Sequence, residues 1–371
     1  MAAWTADHSA PFPRASTRTI TVGGLPVGGG HPVRVQSMTN SDTRNIEATA
    51  GQIQDLAQAG CEIVRLAVPD PEAAHALPAI KALSPLPLIA DIHFQHELAL
   101  MALEAGVDGL RINPGNIGSA RKVQEVVRSA AERQVPIRIG VNSGSIEKDL
   151  LQRFGGPVPE AMVESALKHV ALLEKQHFHL IKISLKSSSV LNTLAAYRLL
   201  NQKCDYPLHI GITEAGTLVR GAVKSSIGCG LLLWEGLGDT LRVSLTGDPR
   251  DEVLVAWEIL RNLGLRARGP EIISCPTCGR TEIDLIGLTR DVEQLLQPIC
   301  SVFTVAVMGC PVNGPGEARE ADIGIAGGKG MGLIFRKGKV IRKAREDRLL
   351  QAFQEELDLF LQEAAGEWRV D

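Results

Sequence analysis

The sequence predicts an α/β protein: an N-terminal (β/α)8 TIM-type barrel followed by a smaller C-terminal α+β domain. Three observations carry this. From residue 33 onward, short apolar runs alternate eight times with helical segments, the rhythm of parallel strands joined by crossover helices. At 371 residues the chain is long enough for one barrel of about 230 residues and a second unit. Near residue 265 the rhythm stops, and the remaining hundred or so residues hold a cysteine pair, short hairpin runs and a closing helix. The expected boundaries are 1-30 for a tail and hairpin, 31-265 for the barrel and 270-371 for the second domain. An open doubly wound sheet is the alternative, but no GxGxxG opens the first unit.

In order, Thr19–Val22, Gly23-Gly24 and Leu25–Val27 read as a small hairpin. The barrel strands are expected at Val33–Gln36, Ile63–Leu66, Leu88–Asp91, Gly109–Ile112, Ile137–Gly140, Leu180–Ser184, Leu208–Ile212 and Leu241–Ser244. Helices are expected between them at Ile46–Ala59, His96–Ala105, Ala120–Gln134, Pro159–Gln176, Val190–Asn201 and Pro249–Leu263. Ala59-Gly60 and Ala105-Gly106 look like helix C-caps that feed the next strand. Arg261–Gly269 reads as an exposed linker. Beyond it, Ile283–Leu288 is expected as a strand and Thr289–Leu296 as a helix. Phe303–Met308 is then expected as a strand, with hairpin strands at Ile323–Ile325, Gly332–Phe335 and Lys339–Ile341 and a last helix from Arg345 to Ala364. The turn at Gly327-Gly328-Lys329-Gly330 lacks the Walker spacing and reads as a hairpin turn.

Chemistry gathers at the C-terminal ends of barrel strands. Those ends carry Arg65, Asp91 and His93, Arg111 and Asn113, Arg138 and Asn142, Lys182 and Lys186, Thr213 and Glu214, and Arg242 and Ser244. Arg or Lys recurs at five of the eight ends, with few carboxylates beside them. A lone arginine there is as well explained by a solvated loop charge. Five at equivalent positions point to a multiply charged anion such as a diphosphate, gripped by bidentate guanidinium forks. Glu214 directly follows the seventh strand, where it could act as an acid–base group or simply favour the next helix N-terminus.

The net charge of −3 and the lack of a basic block interleaved with aromatics exclude a nucleic-acid surface. No apolar run approaches the roughly 20 residues of a membrane span. The first residues carry no apolar signal core, so a cytoplasmic protein is expected. Seven cysteines in such a chain suggest metal chemistry rather than a disulfide framework. Cys61, Cys204, Cys229 and Cys300 stand alone and read as packing or surface residues. Cys275-Pro276-Thr277-Cys278 and Gly309-Cys310-Pro311 are different. Two thiols from one turn and a third from a strand end suit Zn²⁺ or an iron–sulfur cluster. The Gly/Pro turn after Cys310 lets Glu317 fold back onto the same centre.

These residues resemble the IspG (GcpE) family. The likeness runs through Val35-Gln36-Ser37-Met38-Thr39-Asn40, Leu110–Asn116, Ile212–Gly216, Glu235–Ser244, Cys275–Cys278 and Gly309–Glu317. The chain is similar to the short bacterial form, with nothing inserted between the two domains. The resemblance implies an oxidoreductase of isoprenoid biosynthesis by the MEP route. Its reaction is the two-electron reductive ring opening of 2-C-methyl-D-erythritol 2,4-cyclodiphosphate to (E)-4-hydroxy-3-methylbut-2-enyl diphosphate. It implies a 4Fe-4S cluster on Cys275, Cys278, Cys310 and Glu317, with Asn313 beside it. It places the diphosphate on Arg65, Arg111, Asn113, Arg138, Asn142, Lys186, Arg242 and Ser244, with Lys182 as the alternative to Lys186. Glu214 becomes the proton donor. Flavodoxin or ferredoxin would supply electrons, and a homodimer would let one subunit's cluster domain cap the other's barrel. The rival is a phosphate-ester-binding barrel carrying a structural zinc module.

Overall fold

Two glycines start the barrel. Gly23 and Gly24, at φ +54° and +85°, turn the chain between antiparallel β1 (Ile20–Val22) and β2 (Leu25–Val27). Ile20, Val22 and Val27 then pack on Ile63 and Ile89, near the N-terminal ends of two barrel strands, and plug the barrel bottom. The computed structural model describes residues 13–117, 119–310 and 317–367; the side chains of 114, 115, 317 and 365–367 lie outside that description. The chain divides into two compact units, Met1–Ala267 and Arg268–Asp371.

The first unit is an eight-stranded parallel barrel. Its strands are β3 (Arg34–Met38), β4 (Ile63–Ala67), β5 (Leu88–Asp91), β6 (Gly109–Ile112), β7 (Ile137–Asn142), β8 (Ile181–Lys186), β9 (His209–Ile210) and β10 (Thr240–Leu241). Each pairs with its successor, and β10 returns to β3 through Thr240↔Arg34. The seam between β8 and β9 closes through the single bridge Ile183↔Leu208. Tyr197 stitches that seam. Its fully buried hydroxyl accepts from Leu185 N–H at 3.0 Å and donates to the His209 carbonyl.

Local signals explain the helices. Asn45 caps Ile46–Ala59 by accepting from Ala48 N–H, and Gly60 ends it at φ +102°. Asp248 caps Pro249–Asn262, with Pro at the first helical turn. Their apolar faces join one continuous core around the barrel. The expected seventh and eighth strands shrink to two-residue ladders, β9 and β10. A Cβ at Gly211 would lie 2.4 Å from the Arg242 carbonyl, so the backbones approach there too closely for ordinary side chains. Arg261–Gly269 is also not a simple exposed linker. Arg261 is buried, and Arg266 donates to Glu62 at 2.7 Å while stacking 4.7 Å over the Trp257 ring.

The second unit is a five-stranded sheet: β11 (Glu271–Ser274), β12 (Thr304–Met308), β13 (Ile323–Gly328), β14 (Met331–Arg336) and β15 (Lys339–Arg345), in that order. The first three are parallel and the last two antiparallel. The helices Leu285–Leu296 and Leu349–Glu367 pack on it through Val292, Leu296 and Phe353. The strand expected at Ile283–Leu288 is instead the start of the first of these helices. Asp284 caps it by accepting from Gly287 N–H, and Leu285, Leu288 and Val292 recur at helical, not strand, spacing. β11 carries too short an apolar signal to be expected from the sequence, and of the four lone cysteines Cys61 and Cys229 are buried while Cys300 is exposed at the surface. Among the described residues no helix is long and apolar enough to cross a membrane.

Removing the Tyr197 hydroxyl leaves a buried N–H and a buried carbonyl unpaired, which costs about 1–3 kcal/mol. Tyr197→Phe is expected to lower the urea midpoint of barrel unfolding with little change in slope. A midpoint equal to the parent's would show that the seam holds without this stitch.

Candidate active site

Strand alternation and register put alternate residues on the inner face of the barrel. Met38 pairs with Arg65, Asp91 with Arg111, Arg111 with Arg138 and Arg138 with Lys182, so charged side chains line the interior. Arg65, Arg111, Arg138, Lys182 and Lys186 are all buried, and Arg242 is 15% exposed. Two carboxylates meet them. Asp91 accepts from Arg111 at 3.1 Å and lies 3.6 Å from Arg65. Glu252, from the first turn of the helix Pro249–Asn262, accepts from Arg242 at 3.3 Å, Ser37 Oγ at 3.1 Å and Leu245 N–H at 2.9 Å. Arg65 also leans on the Met38 sulfur at 2.8 Å. Gly140 makes room for Arg111, because a Cβ there would sit 2.7 Å from its Nε.

Positive charge remains in excess. Among the described residues Arg111 Nε, Arg138 Nε and Nη1, Lys182 Nζ and Arg242 Nε are buried without a partner. Protonation responds to that excess. Burial would raise the Asp91 carboxyl, but Arg65, His93 and Arg111 overrule it and hold Asp91 well below the usual carboxylate range. Arg65 gains less from the same pair. Burial, with Arg242 and Arg111 nearby, pushes it down to about 10, against the pull of Asp91 and, more weakly, Glu252. Burial and the neighbouring guanidiniums also push Lys186 well below its ordinary value. Such a cavity attracts an anion with several oxygens, each able to accept from an unused N–H.

The other expected residues stand around this mouth. Asn113 Nδ2 donates to Ser145 Oγ at 3.4 Å, and Asn142 heads the 3-10 turn Ser143–Ser145. Ser244 is half-buried after β10. Glu214 is exposed and sits at φ +52°, a left-handed backbone that few non-glycine residues adopt. Sequence reasoning missed Glu252, whose one signal was an acidic pair, Asp251-Glu252, in the helix turn after the last strand. It also passed over the fully buried His209.

In the second unit, parallel pairing of β11 with β12 brings two cysteines to the same sheet end. Cys275 N–H donates to the Val307 carbonyl at 3.2 Å, and Gly309 N–H donates to Cys275 Sγ at 3.2 Å, just before the buried Cys310. Cys278 is exposed, and hydrogen bonds from Arg280 lower its thiol. An amide aimed at one sulfur and an acidified second thiol fit thiolate ligands of a soft metal centre. Among the described residues no three His, Cys, Asp or Glu side chains are drawn together as a metal cage. Glu317 opens the 3-10 turn Glu317–Glu320 by its backbone, while its carboxylate and the whole of Asn313 lie outside the described residues.

Comparison with known proteins agrees with both units. Residues 17–257 match the GcpE TIM-barrel domain and residues 271–359 match the GcpE protein C-terminal domain. The chain's relatives include proteins named 4-hydroxy-3-methylbut-2-en-1-yl diphosphate synthase (flavodoxin), three of which illustrate the likeness. That of Maridesulfovibrio salexigens is 68% identical, over 95% of this chain and 99% of its own. That of Lawsonia intracellularis is 64% identical, over 94% and 98%. That of Geobacter sulfurreducens is 62% identical, over 94% and 99%.

Because the Cβ added at Gly140 meets only the far end of a flexible side chain, Gly140→Ala is expected to fold normally yet displace Arg111. Its affinity for inorganic pyrophosphate, read by calorimetry, should fall about tenfold, a loss of about 1.4 kcal/mol. Unchanged affinity would remove Arg111 from the anion site.

Proposed function

Since the chain belongs to the GcpE family, we propose that its barrel mouth binds 2-C-methyl-D-erythritol 2,4-cyclodiphosphate for reductive ring opening to (E)-4-hydroxy-3-methylbut-2-enyl diphosphate. The observation that carries this reading is the surplus of buried cationic side chains in the barrel over the two carboxylates that meet them, with several of their N–H groups left without a partner among the described residues. Arg65, Arg111, Arg138, Lys186 and Arg242 hold the diphosphate, and Asn113, Asn142 and Ser244 complete its hydrogen bonds. Oriented this way, the ring carbons face outward, where Glu214 can deliver a proton.

The reaction takes up two electrons. The ring C–O bond breaks toward the diphosphate oxygen, a carbon–carbon double bond forms, and the neighbouring hydroxyl departs as water with the proton Glu214 supplies. The freed phosphate gains one negative charge, which the surrounding guanidiniums offset. Cys275, Cys278, Cys310 and Glu317 would hold a 4Fe-4S cluster that supplies the electrons when bound. A carboxylate ligand is harder and more exchangeable than a thiolate, which suits a centre that must admit substrate. Asn313 follows Cys310 closely enough to reach the same region and help orient the substrate.

Flavodoxin is the donor we assign, from the names of the relatives. A cytoplasmic, homodimeric enzyme completes the reading. Val219, Val223, Ile227, Leu231 and Trp234 are spaced to form one exposed apolar stripe along the helix Leu218–Trp234, which suits a second copy.

The test is anaerobic purification with iron and sulfide analysis, then turnover of the cyclodiphosphate with reduced flavodoxin. About four irons and four sulfides per chain are expected, both lost in Cys310→Ala together with activity. Glu214→Gln should keep the cluster and substrate binding but lose about 100-fold or more in kcat. One zinc without sulfide, or no turnover of the cyclodiphosphate by the iron-loaded enzyme, would overturn the assignment.

A further inference from the structure

Beneath the mouth lies a polar floor that the proposed reaction does not use. Lys182, His209, Thr240 and Gln36 come from β8, β9, β10 and β3, and all four are buried. His209 Nδ1 meets Thr240 Oγ1 at 2.8 Å. His209 Nε2, Lys182 Nζ and both amide atoms of Gln36 have no partner among the described residues. Lys182 shares the inward face of β8 with Lys186, two alternations deeper, and Arg138 lies beside it in register. Asp239, the carboxylate whose charge acts on Lys182, is already engaged by Arg14 at 2.9 Å, Thr17 Oγ1 at 3.2 Å and Leu208 N–H at 2.8 Å.

Charge balance decides what this floor does. Guanidiniums keep their protons in proteins, so the repulsion inside the barrel falls on the groups that can release one, the lysines and His209. A guanidinium held beside a lysine in a site shielded from water favours the neutral form of the lysine. An arriving dianion reverses that field.

We propose that Lys182 is the proton acceptor of the barrel floor, taking up a proton when the cyclodiphosphate binds above it, so that substrate binding is coupled to proton uptake. This rests on the mouth being the diphosphate site. Burial, with Arg138 beside it, pushes Lys182 down to about 7 against the pull of Asp239. Lys186 is likewise held well below its ordinary value, by burial and by Arg242, Arg138 and Arg65, and His209 by burial and by Arg138, Lys186, Lys182 and Arg65. Lys182 Nζ, buried beside Arg138 with no partner among the described residues, is thus poised near neutrality, where a change in field tips it. Its free form is mostly neutral above about pH 7, so affinity for the dianion weakens as pH rises there and levels off below. The substrate does not confuse the measurement. Each phosphorus of the cyclic diphosphate carries one strongly acidic oxygen and no group that titrates near neutrality.

The experiment is calorimetry of the anaerobic holoenzyme with the cyclodiphosphate, without reductant, in buffers of different protonation heat. The expected uptake is about half a proton at about pH 7, approaching one at about pH 8.5, with Kd weakening nearly tenfold per pH unit above neutrality. Lys182→Met should bind without this uptake and with a flattened pH dependence. Lys182→Arg, permanently charged, should do the same and serves if the first variant misfolds. Parent binding whose heat is independent of the buffer would overturn the proposal. So would parental uptake in either variant, because the proton would then go to Lys186 or His209. No binding in any buffer would instead overturn the reading of the mouth itself.

Discussion

The structure depends on one constraint: more buried positive charge inside the barrel than its carboxylates can neutralise. A barrel of this kind is ordinarily filled with layers of branched apolar side chains. Here the apolar residues turn outward to the helices, while Arg65, Arg111, Arg138, Lys182 and Lys186 occupy the interior. A folded domain is stable by only about 5–15 kcal/mol, and a few unscreened cation pairs would consume that margin. Asp91 and Glu252 relieve part of the load, and the apolar shell and the hairpin plug of Ile20, Val22 and Val27 sustain the rest. What is left uncompensated is binding capacity for an anion.

This constraint explains why the fold was legible where it was. The outward faces of the strands, such as Val64 and Leu66 or Ile137 and Ile139, are uninterrupted apolar signals, and the helix caps at Asn45, Gly60 and Asp248 are written in residue types with a local mechanism. The cations at strand ends were legible for the same reason, since a charged residue beside an apolar run has few structural excuses. Glu252 was hidden because its role depends on a helix end folding back over β10, which spacing alone cannot show. The short ladders β9 and β10 were overread because Gly211 and its neighbours look like ordinary strand residues until the two backbones are seen to converge.

The second unit shows the opposite balance. Its cysteine positions were plain in the sequence, while its secondary structure was partly misread. Ile283–Leu288 is rich in β-branched and apolar residues, yet the Asp284 cap and the spacing of Leu285, Leu288 and Val292 select a helix. That helix is the crossover that lets β11 and β12 run parallel, and this pairing sets Cys275 against Gly309 and Cys310. The missed strand is thus what positions the legible thiols.

The most direct test of the central claim is the stability of Arg138→Met with and without the cyclodiphosphate. Replacing a buried charge that has no salt-bridge partner among the described residues with an apolar side chain of similar length removes repulsion and desolvation together. The account predicts a variant that, without ligand, is more stable than the parent by about 1 kcal/mol or more, and that loses most of the stabilisation the parent gains from ligand. A variant less stable than the parent in the absence of ligand, and still stabilised by it to the same degree, would contradict the claim that the barrel holds this charge for its substrate.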